Sequence, residues 1–215
     1  MAISFIAGIA QFSSSNVTSG SLNVTAGDTL FVQIRFQTDD IDTVTDTAGN
    51  VYRLASTFRM VGGTLSSVWY CTNCAAHATN VITVTTWGGT CSALAVVQFR
   101  GLATKSPLDV NVRTVLLADP IISPAFTTII ANSAIIVFCD IETTTSTWSV
   151  GTGYTLAVTD GSNVQFIEYK IVSSIQTGVT ASANSNNGST IRSMIVLAVH
   201  EEIASGGGGE QSHVF

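Results

Sequence analysis

Charge is scarce in this chain of 215 residues: Asp, Glu, Lys and Arg together make up 10% of it, against roughly a quarter in ordinary soluble domains. Lys and Arg number eight, scattered along the sequence, and the formal net charge is -6. A nucleic-acid groove or an anionic membrane surface calls for a run of basic residues, and none is present. Helix-forming Ala-Glu-Lys-Leu stretches are missing too, which argues against a helical architecture. No segment reaches the ~20 apolar residues a bilayer-spanning helix requires. The opening "MAISFIAGIAQF" lacks a basic start, a long apolar centre and a cleavage site, and it alternates. It reads as a strand rather than a signal peptide, so the expectation is a soluble chain folded in a cytoplasm.

What fills the chain instead is apolar residues, at 46%, with Ser, Thr and Asn in the polar positions. Thr and Val favour pleated, half-buried surfaces, so the composition is all-β. "SLNVTAGDTLFVQIRFQT" holds two extended segments broken at Ala26-Gly27-Asp28, and "TVTDTAGNVYRLAS" reverses at Ala48-Gly49-Asn50. "SSVWYCTN", "NVITVTTW" and "CSALAVVQFRGL" continue the series. The last is nearly continuous in apolar residues, as expected of a central strand or one buried on both faces.

The order then repeats. "AGDTLFVQIRF" is echoed by "ANSAIIVFCDI", "GNVYRLAS" by "GYTLAVT", and "SSVWYCTN" by "VQFIEYKIV", which matches Tyr70 to Tyr169. A repeat of this length implies two related units, each burying one sheet face. The predicted fold is two related antiparallel β-sandwich units, jelly-roll or immunoglobulin-like, over residues 1–104 and 105–203. Merging the halves into one larger sandwich is the other legal solution. "GLATKSPLDVNVRTVLLADPIISP" is the expected connection, its middle lying as a strand across the first unit. Residues 204–215, "ASGGGGEQSHVF", form a glycine-rich arm ending in Val214 and Phe215. Those two apolar residues are the candidate partner-binding positions, docking onto a neighbouring subunit.

"YCTNCAAHA" raises the question of chemistry, because Cys71, Cys74 and His77 have the spacing of a metal site. A structural zinc site wants a second pair, yet Cys91 and Cys139 are isolated in apolar strands. The repeat places Lys170, Ser173 and Arg192 where Cys71, Cys74 and Cys91 stand, so the same turn is built without ligands. Small buried thiols, reduced, are the favoured reading, and no metal or cofactor is expected. Asp39, Asp40, Asp42 and Asp46 could attract a hard cation, but the glycine and closing Glu of an EF-hand loop are missing. The repeat keeps only Glu142 there, so a solvated loop is favoured. There is no G-x-S-x-G, H-E-x-x-H or phosphate loop. The histidines at 77, 200 and 213 are scattered, and Glu201-Glu202 face no second carboxylate. Trp69, Trp87 and Trp148 would serve a sugar platform only if they met on one exposed face. No catalytic residue is assigned, and the expectation is a protein that is not an enzyme. Three sequons, at Asn16, Asn23 and Asn187, carry little weight in a chain so rich in Ser and Thr.

"VTDTAGNVYRLAS", "SVWYCTNCAAHATNVITVTT", "ALAVVQFRGL…SPLDV" and "GTGYTLAV" together resemble a β-rich family of tailed-bacteriophage structural proteins and bacterial surface proteins. Its pattern runs D-x-A-G-N-x-Y, W-Y-A-x-N-A, V-T-V-T, an apolar strand ending near F-x-G, and P-L-D. Cys71 and Cys74 stand where alanine is commoner in that pattern. The resemblance implies a β-sandwich virion protein without catalysis, and within the group a head decoration (cement) protein. Such a protein would bind the major capsid protein on the outside of the head, as a homotrimer assembled in the host cytoplasm, with no nucleic-acid or membrane partner. The other reading is a receptor- or glycan-binding module of a tail fibre or surface adhesin.

Overall fold

Strands follow the alternation. The computed structural model describes residues 1–12, 18–37, 41–60, 63–87, 90–142, 147–187 and 190–202. The first half supplies β1 (Ser4–Phe12), β2 (Leu22–Val24), β3 (Thr29–Gln37), β4 (Ile41–Asp46), β5 (Arg53–Arg59), β6 (Thr64–Cys71), β7 (His77–Asn80), β8 (Ile82–Thr86) and β9 (Thr90–Arg100). The second supplies β10 (Leu108–Leu116), β11 (Ile121–Ile122), β12 (Ser133–Ile141), β13 (Thr155–Thr159), β14 (Gln165–Val172), β15 (Ser182–Ala183) and β16 (Arg192–His200).

Two large antiparallel sheets result, in the orders β1-β9-β3-β6-β5 and β10-β16-β12-β14-β13. The orders are the same once β10 is set against β1, β16 against β9, β12 against β3, β14 against β6 and β13 against β5. The register agrees along β3–β6 and β12–β14, while β3–β9 carries a bulge between Arg35 and Phe36 that β12–β16 lacks. Leu30 faces Cys71 as Ile135 faces Lys170, and Phe36 faces Cys91 as Ile141 faces Arg192. The duplication of an antiparallel sandwich is therefore a property of the fold. A smaller layer lies outside each large sheet, of β2-β7 and β4-β8 in the first half and β11-β15 in the second. Within a half the chain crosses repeatedly between its large sheet and its small layer. Such crossing is the habit of Greek-key sandwiches, jelly-rolls and immunoglobulin-like folds alike.

Strand residues pointing outward from the first large sheet, such as Leu30, Val32, Ile34 and Leu94, pack beneath its small layer with Ile82 and Val84. Those of the second, such as Ile135, Val137, Phe166 and Val196, do the same with Ile121 and Ala183. The opposite faces of the two large sheets meet each other. Phe31, Val97 and Phe99 interleave with Ile136, Phe138, Ile167 and Leu197 in a central core. Aromatic contacts cross it: Phe5 stacks on Tyr169 at 4.8 Å, Phe99 meets Tyr169 edge-on at 5.5 Å, and Phe31 approaches Phe138 at 6.3 Å. Such pairs add about 0.5–1.5 kcal/mol beyond the area they bury. The structure thus combines both sequence-level solutions: each half has its own sandwich, and the halves merge through a shared core.

One expectation fails. "LDVNVRTVLL" does not lie across the first unit; as β10 it is the edge strand of the second sheet, paired with β16. Its alternation satisfies a sheet of its own half, which offers a full ladder of backbone partners. It nevertheless reaches across with two side chains. Asn111 Nδ2 donates to the carbonyl of Ala55 at 2.8 Å, and the Arg113 guanidinium donates to that of Thr57 while lying over Phe58. These donors cap the outer carbonyls of β5, an edge that would otherwise invite pairing with another chain. At the other margin β1 packs against β13, and a Cβ at Gly8 would stand 2.9 Å from the carbonyl oxygen of Ala157. Only glycine allows that approach.

Candidate functional site

The C-x-x-C turn and the D-x-A-G-N-x-Y turn are neighbours. Asp46, at the end of β4, accepts from Asn50 N at 2.9 Å, Asn50 Nδ2 at 2.7 Å, Tyr52 OH at 2.9 Å and Asn80 Nδ2 at 2.9 Å. Burial works against its charge, but these donors outweigh burial and hold the carboxyl below the usual carboxylate range. Gly49 takes φ 73°, a left-handed turn conformation that costs glycine little. Asn50 Oδ1 then accepts from Ala75 N at 2.8 Å, tying this turn to the cysteine loop. Every polar residue of the motif is spent on fastening strands together.

Cys71 and Cys74 are both buried free thiols with their sulfurs 2.8 Å apart. Cys74 is pinned by its own amide to the Asp28 carbonyl at 2.9 Å, and its carbonyl accepts from Gly27 N at 3.0 Å. His77 does not join them; it opens β7, and its Nδ1 accepts from Thr79 N at 3.2 Å. Among the described residues, no group of three His, Cys, Asp or Glu side chains is placed to hold a metal ion. Cys91 and Cys139 sit apart, in the first and second outer cores.

The other candidates are dispersed. Asp42 and Asp46 belong to a strand, not a loop, and Asp42 accepts from Thr85 Oγ1 at 3.3 Å; Asp39 and Asp40 lie outside the described residues. Trp69 packs on the first outer core and Trp148 on the second, so the three indoles form no platform. Trp87 alone is well exposed, at 70%. His200 bridges the carbonyls of Glu201 and Ser106 at 2.7 and 3.1 Å, and Glu202 accepts from Thr104 N at 2.6 Å. Val214, Phe215, His213 and the whole 204–215 arm lie outside the described residues.

The sequence reading missed a set of buried charges. At one end of the central core, the Asp140 carboxylate accepts from Ser66 Oγ and from Gln33 Nε2, the latter at 2.9 Å. Burial pushes its pKa up to about 6, against those bonds and the nearby Arg35 charge. Arg35 donates to Ser92 Oγ at 2.8 Å, and Asp160 accepts from Val164 N at 2.8 Å. On the outer face, Glu168 accepts from Gly151 N at 2.7 Å, and burial raises it to about 7. The hint was in the sequence: Gln33, Arg35, Asp140 and Glu168 interrupt apolar strands. Asp140 and Glu168 have no exposed surface, so among the described residues they act within the packing of the sheets.

Several grooves on the surface leave room for a partner, the roomiest of about 560 Å³ beside Asp28, Arg100, Leu102 and Glu202, and two features bear on the candidates above. A groove of about 320 Å³ is lined by Asn50, Arg53, Tyr70, Cys71 and Asn73, beside the thiol pair. The second is an apolar end. The Thr128 amide donates to the Gln176 carbonyl at 2.9 Å, which brings the segments carrying Ile129 and Ile175 together. Both isoleucines are exposed, at 75% and 52%, and Ile171 is exposed as well. Ile171 shares a groove with Asn132 and Glu201. No helix among the described residues is long and apolar enough to cross a membrane. No known protein family, curated protein or solved structure matches this chain.

Proposed function

We propose that the protein is a non-enzymatic virion structural protein, a decoration (cement) protein that binds the major capsid protein on the outside of a tailed-phage head. The observation that carries this reading is the exposure of Ile129, Ile171 and Ile175, three large apolar side chains of the second half. Exposed apolar side chains gathered on one side of a well-packed body mark an interaction face, and the 128–176 backbone bond brings the segments of Ile129 and Ile175 together. The polar residues of the phage-like motif are consumed in internal bonds, which suits a scaffold rather than a catalyst. A low-charge surface costs little to desolvate against a capsid lattice. Association into a homotrimer, with Val214 and Phe215 reaching a neighbour, would add a second attachment at high effective concentration.

The test is location and mutation together. Purified particles separated into heads and tails are assayed for the protein by mass spectrometry, and heads lacking it are re-decorated with Ile129→Ser and Ile175→Ser variants. The expected result is protein on heads only, with binding weakened at least tenfold and the fold intact. Protein found on tails refutes the reading. The alternative, a glycan- or receptor-binding module of a tail fibre or surface adhesin, is favoured by one observation, the exposed indole of Trp87. Carbohydrate binding abolished by Trp87→Ala would support it.

A further inference from the structure

We propose that Cys71 and Cys74 are a redox-switchable thiol pair, which a small-molecule disulfide closes into a disulfide across the 71–74 turn. The sulfurs stand 2.8 Å apart, and a disulfide requires about 2.05 Å, so closure moves them together by under ~1 Å. Both ends of the pair are held in place. Cys71 is the last residue of β6, opposite Leu30, and Cys74 is fastened on both sides to the Gly27-Asp28 turn. Between them Asn73 takes φ 52°, the left-handed conformation that Asn tolerates and that tightens the turn.

The two thiols differ. Cys74 Sγ donates towards Cys71 Sγ, which favours the thiolate at Cys71 and leaves Cys74 as the protonated partner. Accordingly Cys71 lies below, and Cys74 above, the ordinary thiol range. Cys71 also lines the groove of about 320 Å³, whereas Cys74 does not. Arg53 lines that groove as well and matches the carboxylates of a peptide disulfide such as oxidised glutathione. Cys71 is therefore the attacking sulfur and Cys74 the resolving one. Nothing in the fold demands thiols here, since Lys170 holds the position of Cys71 in the second sheet.

The chemistry balances as ordinary exchange. The Cys71 thiolate attacks one sulfur of the small disulfide, forming a mixed disulfide and releasing one thiolate, which takes up the proton lost by Cys71. The Cys74 sulfur, giving its proton to the second leaving thiolate, then attacks the Cys71 sulfur. Two protein thiols are oxidised, and one small disulfide is reduced to two thiols.

The experiment uses the full chain, reduced and then held without oxygen in glutathione buffers of rising oxidised fraction, quenched in acid and alkylated after denaturation. The expected product has the 71–74 peptide short of two hydrogens and unalkylated, while Cys91 and Cys139 remain alkylated. Cys74→Ser should retain one glutathione on Cys71, and Cys71→Ser should retain none. Full alkylation of both Cys71 and Cys74 in excess oxidised glutathione overturns the proposal, as does glutathione accumulating on Cys74. The unmutated chain alone decides the first point, so a variant that folds poorly does not shield it.

Discussion

Asp140→Asn should make this protein more stable at neutral pH. Asp140 is fully buried between the two large sheets, and burial lifts its pKa from 3.8 to about 6. The unfolded chain ionises this group near 4, while the folded protein keeps it protonated until about 6. Folding therefore binds a proton between those values, and stability falls as pH rises through the window. A shift of about two units, at ~1.36 kcal/mol each, corresponds to a loss of about 3 kcal/mol, complete above pH ~7. Asparagine carries no charge to bury. Both donors to Asp140, from Ser66 and Gln33, address the same oxygen, which the Asn carbonyl can replace. The variant does forfeit the favourable field of Arg35, so a net gain of about 1–3 kcal/mol is expected at pH 7.5. At pH 4 the two proteins should differ little. Urea denaturation at both pH values measures this, and carboxylates common to both chains cancel in the difference. A variant less stable than the parent at pH 7.5, or a difference independent of pH, would refute the reasoning.

Asp46→Ala strands the four donors of Asn50, Tyr52 and Asn80 and should cost about 2–4 kcal/mol in urea denaturation at pH 7. Because the folded carboxyl lies below its ordinary range, that contribution is present above pH ~4 and fades as pH falls through the folded value. A cost under ~0.5 kcal/mol at pH 7 would show the motif to be dispensable. The shared central core should also make the halves unfold together. Fluorescence of Trp148→Phe, which leaves the first-half indoles, and of Trp69→Phe/Trp87→Phe, which leaves Trp148, should then track circular dichroism within each variant, while two separated transitions would contradict it.

Strand order and duplication were legible because side-chain alternation and turn residues act locally. Matching Tyr70 to Tyr169 is enough to make Lys170 the counterpart of Cys71 in the repeat, and the ladders agree. What stayed hidden depends on contacts distant in sequence. Nothing near residue 140 announces that its carboxylate meets Gln33 and Ser66, over a hundred and over seventy residues away. The role of β10 was misplaced for a related reason. An alternating strand fits either sheet, and hydrogen bonds to β16 decide the matter. The apolar end was equally hidden, because Ile129 and Ile175 come together only when the 128–176 contact forms.

The unbroken apolar strands explain why the halves do not stand apart. β12 and β16 are buried along their whole length, and β3 along all but its last residue. A strand in a two-layer sandwich with one solvated face should alternate; one that does not needs a layer on each side. The small outer layer covers one face, and the other half of the chain covers the second. The pairing is reciprocal: β1 packs against β13 and β5 against β10, where β1 and β10, and β5 and β13, are counterparts. That is the isologous geometry of a two-fold dimer, here realised within one chain. Covalent linkage removes the dependence on protomer concentration that a dimer would carry. It also frees the two halves to differ, and they do. The first carries the thiol pair and its groove, the second the apolar end.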